Sequence, residues 1–377
     1  MIDPVKLYNF LKKNNINFFS GIPDSLLKDF CAVISEKESN KNHIIAANEG
    51  NALALSIGYY LATEKLSLVY MQNSGMGNII NPLVSLADTQ VYSIPLILMI
   101  GWRGEPGVED EPQHIKQGKI TKELLKTCGI PFVILDSKST MDSSKEKLKK
   151  LFENAINNRT SSAILVKKNT FKKYGLKKIN FLEKKLTRED VLEFISKELS
   201  KDSAIVSTTG VTSRELYEIR KKRGESNEQD FLTVGGMGHS NQIALGIALS
   251  LKNKQIFCLD GDGALLMHMG SASIIGTSKA KNFKHIVFNN SSHDSVGAQP
   301  TIAKEIDIIK IANACGYNWA ERVSSMKELK SKFPKFKKIN GPAILEIIVK
   351  PGFRKDLGRP TSSTYENKEA FINFLKK

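Results

Sequence analysis

The sequence predicts an α/β protein built from two open, mainly parallel, doubly wound sheets. Short runs of β-branched and aliphatic residues alternate with longer amphipathic segments, which is the pattern of parallel strands joined by crossover helices. This alternation occurs on both sides of a lysine-rich stretch near residue 180, and 377 residues suit two domains of ordinary size. We therefore expect a domain at 1–175, a linker at 176–186, and a domain at 187–377 that includes a C-terminal tail.

The individual elements follow from the same patterns. In the first half, strands are predicted near Phe18–Ser20, Leu66–Met71, Pro95–Ile100, Phe132–Leu135 and Ala163–Val166, and helices near Asp3–Asn14, Ser25–Glu36, Gly50–Thr63 and Lys119–Cys128. In the second half, strands are predicted near Ala204–Ser207, Ile256–Leu259, His285–Asn289 and Ala343–Val349, and helices near Thr187–Leu199, Ser213–Lys222, Gln242–Ser250 and Met326–Lys335. In such sheets ligands bind beyond the carboxyl ends of the strands, so functional residues are expected in the loops that follow them.

Composition excludes several classes of protein. The four cysteines (Cys31, Cys128, Cys258 and Cys315) show no paired spacing, which argues against a disulfide framework and a zinc site. No run approaches the roughly 20 uncharged apolar residues that span a bilayer, and the start lacks a signal-peptide core, so we expect a cytoplasmic protein with no membrane partner. The formal net charge of +16 is not accompanied by an aromatic-and-basic recognition motif. The basic excess equally suits an enzyme with a polyanionic cofactor and an anionic substrate, which we favour over nucleic-acid binding.

A carboxylate and a carboxamide follow two successive predicted strands of the second half. Asp260-Gly261-Asp262-Gly263 ends one strand, and Asn289-Asn290 ends the next. Mg²⁺ prefers hard oxygen ligands and commonly bridges them to phosphates, and the glycines allow close approach of backbone N–H groups. A Gly-Asp-Gly triplet alone is also an ordinary strand-to-helix turn. Combined with the paired asparagines, it predicts a metal and diphosphate site.

Two more loops lie at the ends of predicted strands or helices. Ser207-Thr208-Thr209-Gly210 precedes Thr212-Ser213-Arg214, which is typical of a helix N-terminus, where free amides and hydroxyls bind phosphate. The second of these loops is the glycine-rich run at 234–239. A plain helix cap and a plain glycine turn remain alternative interpretations of these two loops.

Together these motifs resemble the signature of thiamine-diphosphate enzymes. The resemblance implies thiamine diphosphate and Mg²⁺ as cofactors, with the side chains of Asp262 and Asn290 and the carbonyl of Ser292 as metal ligands. It also implies cofactor contacts from Thr209, Gly210, Ser213, Gly236, Met237, Gly238, Gly261 and Gly263. Among these, Met237 is the bulky apolar residue that would hold the cofactor in a bent shape.

Glu49 lies in the run Ala47-Asn48-Glu49-Gly50-Asn51-Ala52, which opens an apolar helix. An acidic residue in the first turn of a helix usually compensates the helix dipole. The family resemblance implies a second role, because a glutamate at the matching position hydrogen-bonds the aminopyrimidine ring of the cofactor and controls its protonation. In these enzymes the cofactor diphosphate is held by another subunit. A homodimer or a higher oligomer with active sites between subunits is therefore implied.

Four segments resemble the phosphonopyruvate decarboxylases and the related sulfopyruvate enzymes. They are Ser20–Ser25, Gly101–Gly107 continuing into Asp110–His114, Asn290–Gly297, and the tail Pro351–Pro360. Ala298 follows Gly297 where glycine is commoner, and little consequence is expected from one added methyl group. The resemblance implies decarboxylation of 3-phosphonopyruvate to phosphonoacetaldehyde and CO₂ in phosphonate biosynthesis, by a lyase. Sulfopyruvate decarboxylase and a thiamine-diphosphate-dependent carboligase remain alternatives.

The same resemblance assigns substrate residues. Asp24 and His114 are the expected proton-transfer groups, and Asp294 or His293 is an alternative. Ser25 and Gln113 are expected hydrogen-bond partners of the substrate. Its phosphonate is expected to meet Arg103, Arg354, Lys355 and Arg359, because guanidinium matches tetrahedral oxyanions with forked hydrogen bonds. The tail is expected to fold over the active site, and His43, His239, His268 and His285 are expected to have packing roles.

Overall fold

A computed structural model describes residues 1–175 and 186–377. These residues belong to two compact units, one ending and the other beginning within 176–185. Except for Leu186, the linker predicted at 176–186 lies outside the described residues. Among the described residues, no helix combines the length and apolar character needed to cross a membrane.

The first unit contains a six-stranded, fully parallel sheet in the order β2-β1-β3-β4-β6-β5. Its strands are β1 (Phe19–Gly21), β2 (His43–Ile45), β3 (Leu68–Gln72), β4 (Ile97–Gly101), β5 (Phe132–Leu135) and β6 (Ser162–Val166). Its helices are α1 (Pro4–Lys13), α2 (Lys28–Lys37), α3 (Glu49–Thr63), α4 (Met76–Pro82), α5 (Pro112–Thr127) and α6 (Met141–Asn157). A π-helical turn, Leu83–Ala87, continues α4.

Both faces of the first sheet are buried, which explains its near-continuous apolar strands. Successive side chains of a strand point to opposite faces. In β3, Leu68 and Tyr70 accordingly pack into one core layer, whereas Val69 and Met71 pack into the other. The resulting doubly wound unit places the loops after β1, β3 and β4 at one edge.

The second unit repeats this design with a fully parallel sheet of six strands in the order β13-β14-β10-β9-β7-β8. Its strands are β7 (Ala204–Ser207), β8 (Asp230–Leu232), β9 (Ile256–Gly261), β10 (Phe283–Asn289), β13 (Trp319–Val323) and β14 (Ala343–Ile348), and a separate hairpin pairs β11 (Ser292–His293) with β12 (Gln299–Pro300). Its helices are α7 (Arg188–Glu198), α8 (Val211–Lys222), α9 (Ser240–Ser250), α10 (Asp262–Met267), α11 (Ser271–Ser278), α12 (Ile308–Ala314), α13 (Met326–Lys338) and α14 (Thr364–Leu375). The predicted fold class is confirmed.

The differences from the predicted elements have physical reasons. The strands β2, β8 and β13 were not predicted, because they are short edge strands in which polar or charged residues interrupt the apolar pattern. Helix α5 begins at Pro112 rather than Lys119, since proline is favoured at the first helical position. Helix α14 was also missed, although its Phe371 and Phe374 are buried in the core. The predicted tail is therefore followed by a packed helix.

Candidate cofactor and substrate sites

The predicted metal ligands of the second unit lie at the carboxyl ends of adjacent strands. Strands β9 and β10 are parallel neighbours, with Gly261 paired to Phe288. Asp262 is the first residue of α10 and is buried. Burial raises the pKa of its carboxyl to about 6, although the backbone N–H groups of Gly263 and Asn290 favour its ionised form. The structure thus brings Asp262 and the beginning of the asparagine loop together, as the strand pattern indicated.

The hairpin after β10 returns the chain to Asp262. The backbone N–H of Thr301 donates to the Ser291 carbonyl at 3.0 Å, and the Thr301 hydroxyl donates to Asp262 Oδ2. Sequence reasoning missed Thr301, because it lies beyond the recognised motif and reaches Asp262 only through the β11–β12 pairing. A contact from Thr301 therefore orients the Asp262 carboxylate.

Ala298 has a backbone requirement in this hairpin that the sequence analysis did not foresee. Its φ is 57°, and it follows Gly297 at φ 102°. The left-handed region costs a non-glycine residue about 1–2 kcal/mol. The positive φ of Ala298 gives a conformational reason why glycine is commoner at this position, beyond the one added methyl group that the sequence analysis considered.

The glycine loops approach the same edge of the second sheet. Gly235 N–H donates to Thr209 Oγ1 at 2.9 Å, which joins the two loops. Gly210 and Gly236 have positive φ values of 95° and 58°. The Ser213 hydroxyl lies 2.7 Å from Ser207 Oγ and donates to the Thr208 carbonyl at 2.8 Å, so it fixes its own loop in this arrangement.

Met237, Gly263 and His293 meet at one point. A Cβ atom on Gly263 would lie 2.9 Å from His293 Cε1 and 3.4 Å from Met237 Cε. Gly238 also has no room for a side chain, since a Cβ atom there would lie 2.7 Å from His268 Cδ2. Three separate motifs of the sequence therefore share one small region, in which glycine is required for packing.

Beneath this region, Asp260 is a fully buried carboxylate that ties several elements together. It accepts from Asn241 Nδ2 at 3.2 Å and from the Gly261 N–H at 2.9 Å, and it lies 3.2 Å from His285 Nε2. Cys258 lies close enough for the three side chains to hold a metal ion. However, burial and the nearby Asp260 raise the pKa of the Cys258 thiol well above its ordinary value. A neutral thiol and an already hydrogen-bonded carboxylate make this cluster a structural network.

In the first unit, Glu49 is the first residue of α3 and is 5% exposed. Asn78 Nδ2 on α4 donates to its Oε2 at 2.7 Å. The carboxylate packs directly on the backbone of Gly75, where any Cβ atom would lie 2.4 Å from Glu49 Oε1. Sequence reasoning missed Asn78, which no motif links to Glu49. The structure thus gives this acidic residue a fixed orientation beyond a helix-dipole role.

Asp24 is fully buried in the loop after β1. Its Oδ1 accepts from the Leu26 N–H at 2.9 Å, and its Oδ2 accepts from Gln72 Nε2 at 2.9 Å. Burial raises the pKa of its carboxyl, and these hydrogen bonds oppose that shift. Both oxygens of the Asp24 carboxyl are therefore engaged within the first unit.

Arg103 is held by its own loop. Its Nε donates to Asp110 Oδ2 at 2.8 Å, its NH2 group contacts Asp110 Oδ1, and its NH1 group donates to Ser25 Oγ at 2.8 Å. Burial would raise the pKa of Asp110, but the hydrogen bonds from Arg103 hold it well below its usual range. Arg103 therefore links the Ser25 loop to the segment that leads into α5.

His114 and Gln113 lie in the first turn of α5 rather than in a loop. Burial and the charge of Arg103 lower the pKa of His114 to about 4, so its imidazole is neutral at physiological pH. Within the described residues, the buried atoms His114 Nδ1 and Gln113 Oε1 have no hydrogen-bond partner. Buried polar atoms of this kind usually have a partner, which an ordered water or a bound polar group can supply.

The tail after β14 lies along α8. Arg214 Nε donates to the Gly358 carbonyl at 2.7 Å, and Tyr217 Oη lies 2.6 Å from Thr361 Oγ1. Arg354 pairs with three carboxylates, Glu189 at 3.0 Å, Asp356 at 2.9 Å and Glu218. Lys355 and Arg359 are exposed. Through Glu189 and Glu218, Arg354 attaches the tail to helices α7 and α8.

Comparisons with known proteins agree with this geometry. Residues 6–124 match the family described as "Thiamine pyrophosphate enzyme, N-terminal TPP binding domain", and residues 208–347 match its "C-terminal TPP binding domain" counterpart. A phosphonopyruvate decarboxylase of Streptomyces viridochromogenes is 30% identical over 389 residues, which cover 100% of this chain and 95% of that relative. The phosphonopyruvate decarboxylase of Streptomyces hygroscopicus is 30% identical, with coverages of 94% and 89%. A sulfopyruvate decarboxylase of Methanosarcina acetivorans is 28% identical, with coverages of 92% and 91%.

The residues at the edge of the second sheet fit a diphosphate bound through Mg²⁺. Asp262 and Asn290 offer the hard oxygen donors that this ion prefers. The Ser292 hydroxyl is buried without a hydrogen-bond partner in the part of the chain that the structure describes. At Gly236 a Cβ atom would meet nothing within 4 Å, so the loop leaves open space beside the sheet edge. Both the donor chemistry and the space therefore suit these cofactors.

Proposed function

The chain belongs to the thiamine-diphosphate-dependent decarboxylase family, and on that premise we propose that it converts 3-phosphonopyruvate to phosphonoacetaldehyde and CO₂. Two relatives named for this activity are each 30% identical over nearly the whole chain, whereas the sulfopyruvate decarboxylase is 28% identical. Such a reaction would serve phosphonate biosynthesis. The observation that carries the proposal is the buried Glu49 carboxylate, held at the start of α3 by Asn78.

In this proposal the two units contribute different groups to cofactor binding. The domain at 187–377 holds the diphosphate and Mg²⁺ through Asp262, Asn290 and the Ser292 carbonyl, and its glycine loops line the cofactor. The domain at 1–175 would supply Glu49, whose carboxyl group would share a proton with the ring nitrogen of the aminopyrimidine. When bound, thiamine diphosphate supplies the electron sink that decarboxylation of a 2-oxoacid requires. Glu49 fixes the protonation of the pyrimidine, and its packing against Gly75 prevents the carboxylate from turning away.

The substrate would be held by the loops after β1 and β4 and by the start of α5. Arg103 would contact the phosphonate through the guanidinium edge that Asp110 leaves available, with Ser25 beside it. The neutral His114 and the amide of Gln113 have unpartnered buried atoms that suit the polar groups of a 2-oxoacid. Asp24, with a raised pKa, would exchange a proton during product formation. Lys355 and Arg359 would add positive charge from the tail.

Sulfopyruvate is the second candidate substrate. A sulfonate resembles a phosphonate in shape but carries one negative charge fewer, and the 28% identity to a sulfopyruvate decarboxylase over most of the chain favours keeping this candidate. A thiamine-diphosphate-dependent carboligase would use the same cofactor residues with a second carbonyl substrate. The carboligase would release a product joined to that second substrate, whereas both decarboxylases would release an aldehyde, so the released product separates the two activities.

We also propose a homodimer or a multiple of it, with each active site formed between subunits. Helix α3 of the first unit and helix α9 of the second each have an uncharged outward face. In α3 the exposed residues include Leu55, Gly58 and Leu61, and in α9 they include Ile243, Gly246 and Leu249. Such faces are typical of helices that pack against a partner.

The test is a substrate panel. Purified protein with thiamine diphosphate and Mg²⁺ is given phosphonopyruvate, sulfopyruvate or pyruvate, and released CO₂ and aldehyde are quantified. We expect the highest kcat/KM with phosphonopyruvate and equal amounts of CO₂ and phosphonoacetaldehyde. Preference for sulfopyruvate would contradict the substrate, and CO₂ release without the matching aldehyde would favour the carboligase.

A further inference from the structure

A buried chain of charged side chains reaches the Asn290 carboxamide. Arg188 Nε donates to Glu215 Oε2 at 2.7 Å, and Arg188 NH1 donates to Asp294 Oδ2 at 3.3 Å. Asp294 Oδ2 in turn accepts from Asn290 Nδ2 at 2.7 Å. The charged side chains are only 2–6% exposed. This network of side chains therefore joins α7 and α8 to the loop that follows β10.

Both oxygens of Asp294 are already engaged. Its Oδ1 accepts from the Gly352 N–H at 3.0 Å, at the start of the tail, and its Oδ2 accepts from Asn290 and Arg188. From the sequence, Asp294 was an alternative proton-transfer group beside Asp24 and His114. Because both oxygens already accept hydrogen bonds within the protein, these contacts support a different role.

A carboxamide has one donor end and one acceptor end, and only the acceptor oxygen can bind a metal ion. An ionised carboxylate accepts hydrogen bonds only. The Asn290 NH₂ group must therefore face Asp294, which turns its Oδ1 atom to the opposite side. There Oδ1 accepts from the Ser292 N–H at 3.0 Å and retains a second lone pair.

We propose that Asp294 is a positioning residue, which fixes the amide orientation of Asn290 so that Oδ1 is presented as the Mg²⁺ ligand. Arg188 NH1 donates a second, longer hydrogen bond to the same Asp294 oxygen at 3.3 Å. This inference rests on the metal site of the proposed function. It also couples that site to the tail, because the same carboxylate holds Gly352.

Substitutions of the two carboxylates that contact Arg188 form a matched pair of variants for the test. Asp294→Asn removes the acceptor-only group that faces Asn290. Glu215→Gln weakens the other contact of the same buried Arg188 but does not touch Asn290. Both variants are expected to lower the thermal unfolding temperature, so stability alone does not separate a positioning role from a structural one.

The discriminating measurement is thiamine-diphosphate binding as a function of Mg²⁺ concentration, without substrate. Because partners that orient a metal ligand typically change affinity about 10–100-fold, we expect Asp294→Asn to raise the half-saturating Mg²⁺ concentration at least about 10-fold. Glu215→Gln is expected to change it less than about 2-fold, since Asn290 keeps its partner. Equal shifts in the two variants, or none in Asp294→Asn, would overturn the inference.

An exchanged double variant covers the case in which Asp294→Asn does not fold. Asn290→Asp with Asp294→Asn keeps one donor, one acceptor and the same total charge at these positions. We expect its half-saturating Mg²⁺ concentration to lie within about threefold of wild type, because the exchange restores the complementary pair. A loss of at least about 10-fold in this double variant would contradict the inference. If the wild-type protein itself showed no Mg²⁺-dependent binding, the proposed function would fail instead.

Discussion

Asn78 Nδ2 on α4 donates a 2.7 Å hydrogen bond to Glu49 Oε2 at the start of α3. This contact joins two helices that no motif connects, and it leaves Oε1 packed against Gly75. The hydrogen bond from Asn78 therefore helps to orient the Glu49 carboxylate. In the proposed function, a carboxylate in another orientation would not meet the aminopyrimidine ring of the cofactor.

We therefore expect Asn78→Ala to lower kcat about 10–100-fold, the equivalent of one hydrogen bond to a charged group. Thiamine-diphosphate affinity should change little, since the proposed function assigns the diphosphate to the residues of the second unit. Asn81→Ala, on the exposed side of the same helix, is the control. Steady-state kinetics with unchanged kcat in Asn78→Ala would show that Glu49 orients itself.

Gly263 provides a steric prediction. Since a Cβ atom there would lie 2.9 Å from His293 Cε1, Gly263→Ala must displace the imidazole or the neighbouring Met237. We expect a stability loss of about 1–3 kcal/mol, typical of overpacking, together with weaker cofactor binding. Gly261→Ala is a close control, because its Cβ atom would meet nothing within 4 Å. Equal chemical-denaturation midpoints for the two variants would contradict this packing.

Arg103 provides the substrate prediction. Lysine keeps the charge but cannot hold Asp110 and Ser25 with a planar fork. We expect Arg103→Lys to lower kcat/KM for phosphonopyruvate about 10–100-fold, the range for loss of one charge-assisted hydrogen bond. Pyruvate turnover should fall less, because pyruvate has no phosphonate. Arg159→Lys, at an exposed site, is the control. A uniform loss for all substrates would assign Arg103 a purely structural role.

His43 makes folding stability depend on pH. Burial lowers the pKa of its imidazole from 6.5 to about 4. As pH falls below 6.5, the unfolded chain therefore takes up a proton before the folded protein does. The His43 contribution is complete above pH 6.5 and is lost as pH falls toward 4, by at most about 1.4 kcal/mol per pH unit.

Replacing His43 should flatten this pH dependence. We expect His43→Gln to show a smaller decrease in unfolding free energy between pH 6.5 and 4.5 than wild type, as measured by urea denaturation. His239→Gln, at an exposed position, should keep the wild-type slope. Identical slopes for wild type and His43→Gln would mean that the folded protein accepts a proton on His43 as readily as the unfolded chain.

Local patterns predicted the two sheets and the juxtaposition of Asp262 with the asparagine loop, because both depend on strands and the residues that directly follow them. Asp262 and Asn290 lie at adjacent strand ends, where the alternation of strands and helices placed them. Asn78 and Thr301 were not predictable, since each reaches its partner only through tertiary packing. The pairing of Arg103 with Asp110 depends on the conformation of their shared loop, which spacing does not define.

The most direct test of the central claim is single-turnover and steady-state CO₂ release by Glu49→Gln, with thiamine-diphosphate and Mg²⁺ binding measured on the same samples. Glutamine preserves the shape of Glu49 but removes its charge. We expect kcat to fall about 10²–10⁴-fold, the usual contribution of a positioned acid–base group, while cofactor affinity and unfolding temperature stay close to those of wild type. Wild-type turnover in Glu49→Gln would contradict the assignment of this carboxylate as the group that controls the cofactor.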